Sequence, residues 1–138
     1  MRDTLYLDIN VFIDAAYARP PDPISAAKLL SLAERNLVRL AASSLTFPFA
    51  YYVLTTHGKV SSADASAMLQ YMAGVIDTVS VDGVTLSAAF ASPIDDLEDA
   101  VQYACADACG ARLIFTRDAS GFVGLPIPSI DPKVWLAT

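Results

Sequence analysis

The sequence lacks several features that would place it in common protein classes. No apolar run in its 138 residues reaches the length of a membrane span, so we expect a soluble cytoplasmic protein without membrane contact. There is no internal repeat, low-complexity tract or linker, which indicates one domain over residues 1–138. A domain of this length can bury a core without disulfides or structural metals.

Cysteine and histidine are scarce, with two and one per chain, and they do not complete a zinc ligand set. Cys105 and Cys109 are four residues apart in a predicted helix, a spacing that favours packing over a disulfide. His57 stands before Gly58 near a predicted helix end, where interaction with the helix dipole accounts for it. We therefore predict neither a disulfide framework nor a histidine base.

Basic residues are also few, nine against fifteen acidic ones, which gives a net charge of −6 and a pI near 4.4. This balance argues against a broad basic surface for nucleic acid. It is compatible with a metal-dependent nuclease, because such a site concentrates acids and its ions reverse the local charge. Any nucleic-acid affinity should then be modest and salt-sensitive.

Apolar residues, in contrast, make up 54% of the chain, and the mean hydropathy is +0.44. This indicates a sheet buried on both faces, with an apolar surface for self-association. Strand-like segments alternate with helix-like ones along the sequence and cover residues 4–8, 38–42, 77–81, 113–115 and 127–130. The pattern predicts an α/β fold, a three-layer α/β/α sandwich with a mainly parallel central sheet of four or five strands.

Acidic residues stand where several of these segments begin or end. Asp8 closes the first strand, and Asp118 comes shortly after the run 113–115. Four more acids open the helical segment that precedes that run: Asp95, Asp96, Glu98 and Asp99. In a parallel sheet these ends share one edge, and clustered carboxylates imply a bound cation or a shared proton.

Three stretches in this order resemble the signature motifs of PIN domains, the nuclease domains of VapC-type bacterial toxins and related proteins. The stretches are Leu7–Asp14, Asp96–Gln102 and Thr116–Asp118. The resemblance covers nearly the whole chain, including the Pro126-Ile127-Pro128 ending before a last short helix. Each motif alone is weak evidence for the family, whereas the three motifs in the expected order are a specific indication of it.

The resemblance implies a domain that cleaves RNA with one or two Mg²⁺ or Mn²⁺ ions. It makes Asp8, Asp99 and Asp118 the catalytic acids and Asp8, Asp99 and Asp96 the metal ligands, with Glu98 as the alternative to Asp96. It gives supporting roles to Asn10, Thr116 and Arg117. It further implies the toxin of a type II toxin–antitoxin pair, an antitoxin protein partner and a homodimer.

Local roles also explain some of these acids. Asp8 fits a strand-end turn, and Asp118 fits the cap of a short helical turn. An acid such as Asp99 in the first turn of a helix is favoured by the helix dipole alone, and we assign the cap itself to Asp95. Four acids in five positions nevertheless exceed what capping requires.

Two other charged residues and one aromatic group have open roles. Arg117 either contacts a phosphate or pairs with the acids, and Asp14, six residues beyond Asp8, is expected to point elsewhere as a surface charge. The aromatic residues that follow position 46 have three possible roles: stacking on RNA bases, packing in the core or forming a dimer interface. The resemblance favours the dimer interface. These residues are Phe47, Phe49, Tyr51 and Tyr52.

The chain departs from the PIN pattern at two places. The family often carries an acid early in its third helix, where residues 45–49 contain none, and Gly121 stands where an aspartate is common. These departures motivate an alternative, a catalytically weakened PIN-like module that acts by binding a protein or RNA partner. A further alternative, an unrelated α/β domain with a helix-capping acid cluster, predicts a different strand order.

Overall fold

The central sheet has five strands in a computed structural model that describes residues 2–138. The strands are β1 (Thr4–Leu7), β2 (Arg39–Ser43), β3 (Asp77–Val79), β4 (Leu113–Phe115) and β5 (Ser129–Ile130). They are ordered β3-β2-β1-β4-β5, and each neighbouring pair is parallel. The predicted parallel sheet is therefore confirmed, with β1 at its centre.

Seven α-helices connect and flank the strands over residues 2–138. They are α1 (Ile9–Ala16), α2 (Ser25–Glu34), α3 (Thr46–Thr56), α4 (Ser62–Val75), α5 (Gly83–Ala91), α6 (Leu97–Ala108) and α7 (Pro132–Leu136). A short 3₁₀ turn covers Ala119–Phe122. None of these helices combines the length and apolar character that a membrane crossing requires.

The sheet separates two hydrophobic cores, as the alternation of side chains along a strand demands. Leu5 and Leu7 of β1 face one core, which is shared with buried residues of α1 to α4. Tyr6 faces the other core, together with Val101 and Cys105 of α6. Helices thus cover both faces, and the predicted α/β/α sandwich is confirmed.

The element bounds differ from prediction by a few residues where side chains interrupt the pattern. β3 ends at Val79 instead of continuing to Val81, because the Val81 N–H donates to the hydroxyl of Ser44 at 3.1 Å. Asp82 then caps α5 by accepting from the Thr85 N–H. Both cysteines are free, as predicted, with Cys105 buried in the second core.

Candidate metal centre

Asp8 lies at the carboxyl end of the central strand, where β1 turns into α1. Its backbone N–H donates to the carbonyl of Phe115, so Asp8 is tied to the end of β4 at 2.9 Å. Its Oδ1 accepts the Ile9 N–H and its Oδ2 accepts the Thr116 hydroxyl, both at 2.9 Å. The side chain is 8% exposed, and this burial raises its pKa against the lowering effect of the two hydrogen bonds.

The first turn of α6 brings three more acids to the same edge. Asp96 is the N-cap and accepts the Asp99 N–H at 2.9 Å, so the cap is Asp96 and our assignment to Asp95 is wrong. One side-chain oxygen from each of Asp96, Glu98 and Asp99 lies within 4.8 Å of the other two. Packing of Val101 in the second core fixes this turn against the sheet.

Electrostatic repulsion couples Glu98 and Asp99 of α6 to Asp8. Burial, followed by repulsion from Asp8, raises the pKa of Glu98 to about 7. Burial, followed by repulsion from Asp96 and Asp8, also raises the pKa of Asp99. The charges of Asp8 and Asp96 thus disfavour ionisation of Glu98 and Asp99, a repulsion that a bound cation would relieve.

Asp118 joins this edge from the loop after β4. It caps the 3₁₀ turn, where its Oδ1 accepts the Ser120 N–H at 3.0 Å. Hydrogen bonding from the Ser120 side chain, followed by that from the Ser120 N–H, lowers the pKa of Asp118. Its negative charge in turn raises the pKa of both Asp8 and Asp99. Thr116 links the two loops, since its hydroxyl oxygen also accepts the Asp118 N–H at 3.1 Å.

The remaining predicted residues lie on the α1 side of this edge. Asn10 is exposed, and its Oδ1 accepts from Arg19 at 3.1 Å. Arg117 pairs with Asp14, which is 4% exposed, so our expectation of a surface charge at Asp14 is wrong. The error arose because spacing along α1 reveals nothing of the two arginines that the fold brings to Asp14.

The two departures from the family pattern have distinct surroundings. The first turn of α3 carries no acid, and Leu45 and Phe49 there are both about half exposed. Gly121 faces the Asp99 carboxylate, where a Cβ atom would lie 2.5 Å from Oδ2. Asp99 therefore occupies the space that a side chain at position 121 would need.

The donor chemistry of the cluster suits a hard divalent cation. Its candidate donor atoms are carboxylate oxygens of Asp96, Glu98 and Asp99, and electrostatic repulsion couples Asp8 and Asp118 to them. Mg²⁺ and Mn²⁺ prefer such oxygens, whereas zinc and copper favour nitrogen and sulfur. The described residues thus fit the metal that the resemblance implies. Sequence reasoning left Glu98 as an alternative, although four acids in five positions was already the signal for it.

Similar solved structures share the whole architecture at low identity. VapBC2 from Rickettsia felis, bound to a promoter DNA fragment, aligns with a TM-score of 0.68 at 16% identity, over 93% of this chain and 98% of that one. A toxin–antitoxin complex from Klebsiella pneumoniae aligns with a TM-score of 0.67 at 18% identity, over 93% of this chain and 97% of that one. VapC20 from Mycobacterium tuberculosis aligns with a TM-score of 0.64 at 13% identity, over 84% of this chain and 91% of that one. It is described as a toxin that cleaves the sarcin-ricin loop.

Sequence comparison identifies the family directly. A search of curated proteins gives no match. The family model described as PIN domain matches residues 4–120, which include β1, the first turn of α6 and the loop after β4. These are the three segments that supply the clustered acids, and the chain belongs to the PIN domain family.

Proposed function

We propose that this chain is a metal-dependent endoribonuclease, that residues 1–138 form one such domain, and that it acts in the cytoplasm as the toxin of a type II toxin–antitoxin pair. The observation that carries the proposal is the meeting of carboxylates from three distant segments at one sheet edge, around the buried Asp8. Burying the Asp8 carboxylate beside other acids is costly without a cation, so a metal site accounts for this arrangement better than stability does.

In this proposal Asp8, Asp99 and Asp96 hold one or two Mg²⁺ or Mn²⁺ ions, with Glu98 beside them. A bound ion would supply positive charge for the scissile phosphate and a more acidic water molecule as the nucleophile. Thr116 orients Asp8 through its hydroxyl, and the exposed Asp118 would hold a water molecule or the metal. The reaction needs no protein nucleophile.

The named structures support the choice of partners. The Klebsiella pneumoniae structure is a toxin–antitoxin complex, which supports an antitoxin protein as the partner of this chain. VapC20 is described as cleaving the sarcin-ricin loop, which supports RNA as the substrate class. The acidity of the chain favours an RNA contact limited to the metal centre and a few cations.

We also propose that the chain forms a homodimer through an apolar groove between α3, α5 and α6. Four exposed apolar side chains line this groove of about 590 Å³: Leu45, Phe49, Leu86 and Leu97. Phe47 packs edge-to-face on Phe12 in the core instead, at 5.0 Å between ring centroids. Exposed apolar surface of this kind is typical of an interface between subunits.

The alternative, a weakened PIN-like module that binds a protein or RNA partner, is favoured by one observation. The first turn of α3 has no acid, and the apolar Phe49 there shares the groove with Glu98. A module of this kind would bind its partner without cleaving RNA under any divalent metal.

RNA cleavage distinguishes the two functions. We expect the parent protein to cleave a labelled RNA pool with Mn²⁺ or Mg²⁺ and to lose this activity as Asp99→Asn, because a ligand carboxylate is removed. Asp107→Asn is the matched control, since it changes the same group on the exposed far end of the same helix. Equal cleavage by the parent and Asp99→Asn would contradict the assignment. No cleavage by any preparation would favour the binding module.

A further inference from the structure

The buried Asp14 pairs with two partly exposed arginines on the α1 side of the acidic edge. Its Oδ1 accepts from Nε of Arg19 at 2.6 Å, and its Oδ2 lies 3.2 Å from Nε of Arg117. Arg19 follows α1 and Arg117 follows β4, so the three side chains meet only in the folded chain. A buried carboxylate is costly unless it is paired, and here a single one receives two cations.

The cluster keeps donors and charge available for another anion. Within this triad two guanidinium groups share one carboxylate, which leaves an excess of one positive charge, and among residues 2–138 no other carboxylate lies within 4.0 Å of either arginine. Asp22, Asp131 and Lys133 line the same cavity as Arg117 at greater distance. Both arginines present Nε to Asp14, and one Nη of Arg19 donates to Asn10. A guanidinium has five N–H donors, so most remain unused, and both side chains are 25–29% exposed.

The position of the pair distinguishes it from other arginines of the described chain. Arg39 and Arg112 each pair with one carboxylate, of Asp77 and Asp3, at the amino ends of the strands. Arg117 instead follows Thr116, whose hydroxyl donates to Asp8 at the carboxyl ends. The Asp14 cluster therefore adds positive charge to the edge that carries the acids.

We propose that Arg19 and Arg117 bind a phosphate of the RNA backbone next to the one being cleaved, and that Asp14 is the positioning residue for both. This inference rests on the proposed ribonuclease function. Asp14 lies six residues beyond Asp8, about 9 Å along α1 at the usual helical rise, which favours a neighbouring phosphate over the cleaved one. The planar guanidinium fork matches a phosphate, and Asp14 fixes the direction of each fork.

The test compares Arg19→Gln, Arg117→Gln and Asp14→Asn with the parent in binding of a labelled single-stranded RNA. Binding is measured with Ca²⁺ and without a divalent ion, over a range of salt concentrations. We expect each arginine variant to bind about tenfold more weakly, because it removes charge-assisted hydrogen bonds to a phosphate. The slope of log affinity against log salt should fall by roughly 0.7 for each phosphate that is no longer neutralised.

Asp14→Asn separates positioning from a purely structural role. It retains both arginines, so RNA binding that weakens as much as in Arg117→Gln, in protein that remains folded by thermal denaturation, supports positioning. Arg117→Lys keeps the positive charge but loses the planar guanidinium group, so its RNA affinity should lie between those of Arg117→Gln and the parent. Arg112→Gln is the matched control, because it breaks an arginine–carboxylate pair at the opposite edge and should bind RNA like the parent.

Two results would overturn the proposal: arginine variants that bind RNA as tightly as Arg112→Gln, or a parent that binds no RNA. Calorimetric Mn²⁺ titration of the same proteins keeps this inference apart from the nuclease function. Arginine-dependent RNA binding in a protein that neither binds Mn²⁺ nor cleaves would support the phosphate site while rejecting the nuclease. If the protein binds Mn²⁺ and cleaves RNA, but the arginine variants bind RNA as tightly as the parent, the nuclease function is supported and the phosphate site is rejected.

Discussion

Gly121 and Asp99 approach so closely that a side chain at position 121 would displace the carboxylate. A Cβ atom on Gly121 would lie 2.5 Å from Oδ2 and 3.1 Å from Cγ of Asp99. The 3₁₀ turn after β4 therefore forms one wall of the acidic site beside Asp99. The family's common aspartate at this position is incompatible with the Asp99 position seen here.

Gly121→Ala should consequently weaken metal binding with little effect on the fold. Asp99 can rotate away from the new methyl group, and loss of its orientation should reduce Mn²⁺ affinity by about tenfold or more. Calorimetric titration and thermal denaturation measure the two effects. Gly83→Ala is the control, since a Cβ there meets nothing within 4 Å. Parent-like Mn²⁺ affinity in Gly121→Ala would reject this account of the glycine.

Thr116→Val should disturb Asp8 through the loss of a single hydroxyl. The valine keeps the shape but leaves Oδ2 of Asp8 without its donor and the Asp118 N–H without its acceptor. We expect a loss of about 1–3 kcal/mol in the free energy of unfolding. Since the hydrogen bond from Thr116 lowers the pKa of Asp8, Mn²⁺ binding should also shift to higher pH in the variant. Thr116→Ser, which keeps the hydroxyl, should resemble the parent in both measurements.

Stability without metal should fall as the pH rises from about 4.5 to about 7. The pKa of Glu98 is raised from 4.5 to about 7 by burial and by repulsion from Asp8, so the unfolded chain loses this proton before the folded one does. The folded state is therefore favoured at the acidic end of the window. The melting temperature measured in a chelator should show this decline, and it should be smaller in Glu98→Gln. An identical decline in Glu98→Gln and the parent would refute the assignment to this group.

Self-association should depend on the apolar groove between α3, α5 and α6. Leu86→Lys places a charge in the groove, and burying that charge between two copies would cost more than the interface returns. We expect sedimentation velocity to give a dimer for the parent and a monomer for the variant. Val134→Lys on α7 is the control, because Val134 is exposed and lies outside the groove. A dimeric Leu86→Lys protein would place the interface elsewhere.

The order of strands and helices could be predicted because each segment carries its own periodicity and breakers. The apolar runs at 4–8 and 113–115, for example, contain β1 and β4. The meeting of Asp8 and Asp118 beside Thr116 could be predicted as well, since the carboxyl ends of parallel strands must share one edge. The family motifs then gave Asp8, Asp99 and Asp118 a common chemistry.

What could not be predicted depends on contacts between distant parts of the chain. Thr116 meets Asp8 across 108 residues, and Asp14 receives Arg117 from a loop more than 100 residues away. The burial of Asp14 is therefore invisible to helical spacing, which places it only relative to its neighbours on α1. The constraint that Asp99 imposes on Gly121 is hidden for the same reason.

The central claim is that the carboxylates around Asp8 hold a divalent cation, and calorimetric Mn²⁺ titration tests it most directly. The parent should bind Mn²⁺, whereas Asp8→Asn and Asp99→Asn, each lacking one ligand carboxylate, should not. Asp107→Asn, on the exposed far end of α6, should bind like the parent. Absence of binding in the parent, or binding that survives both Asp8→Asn and Asp99→Asn, would contradict the account.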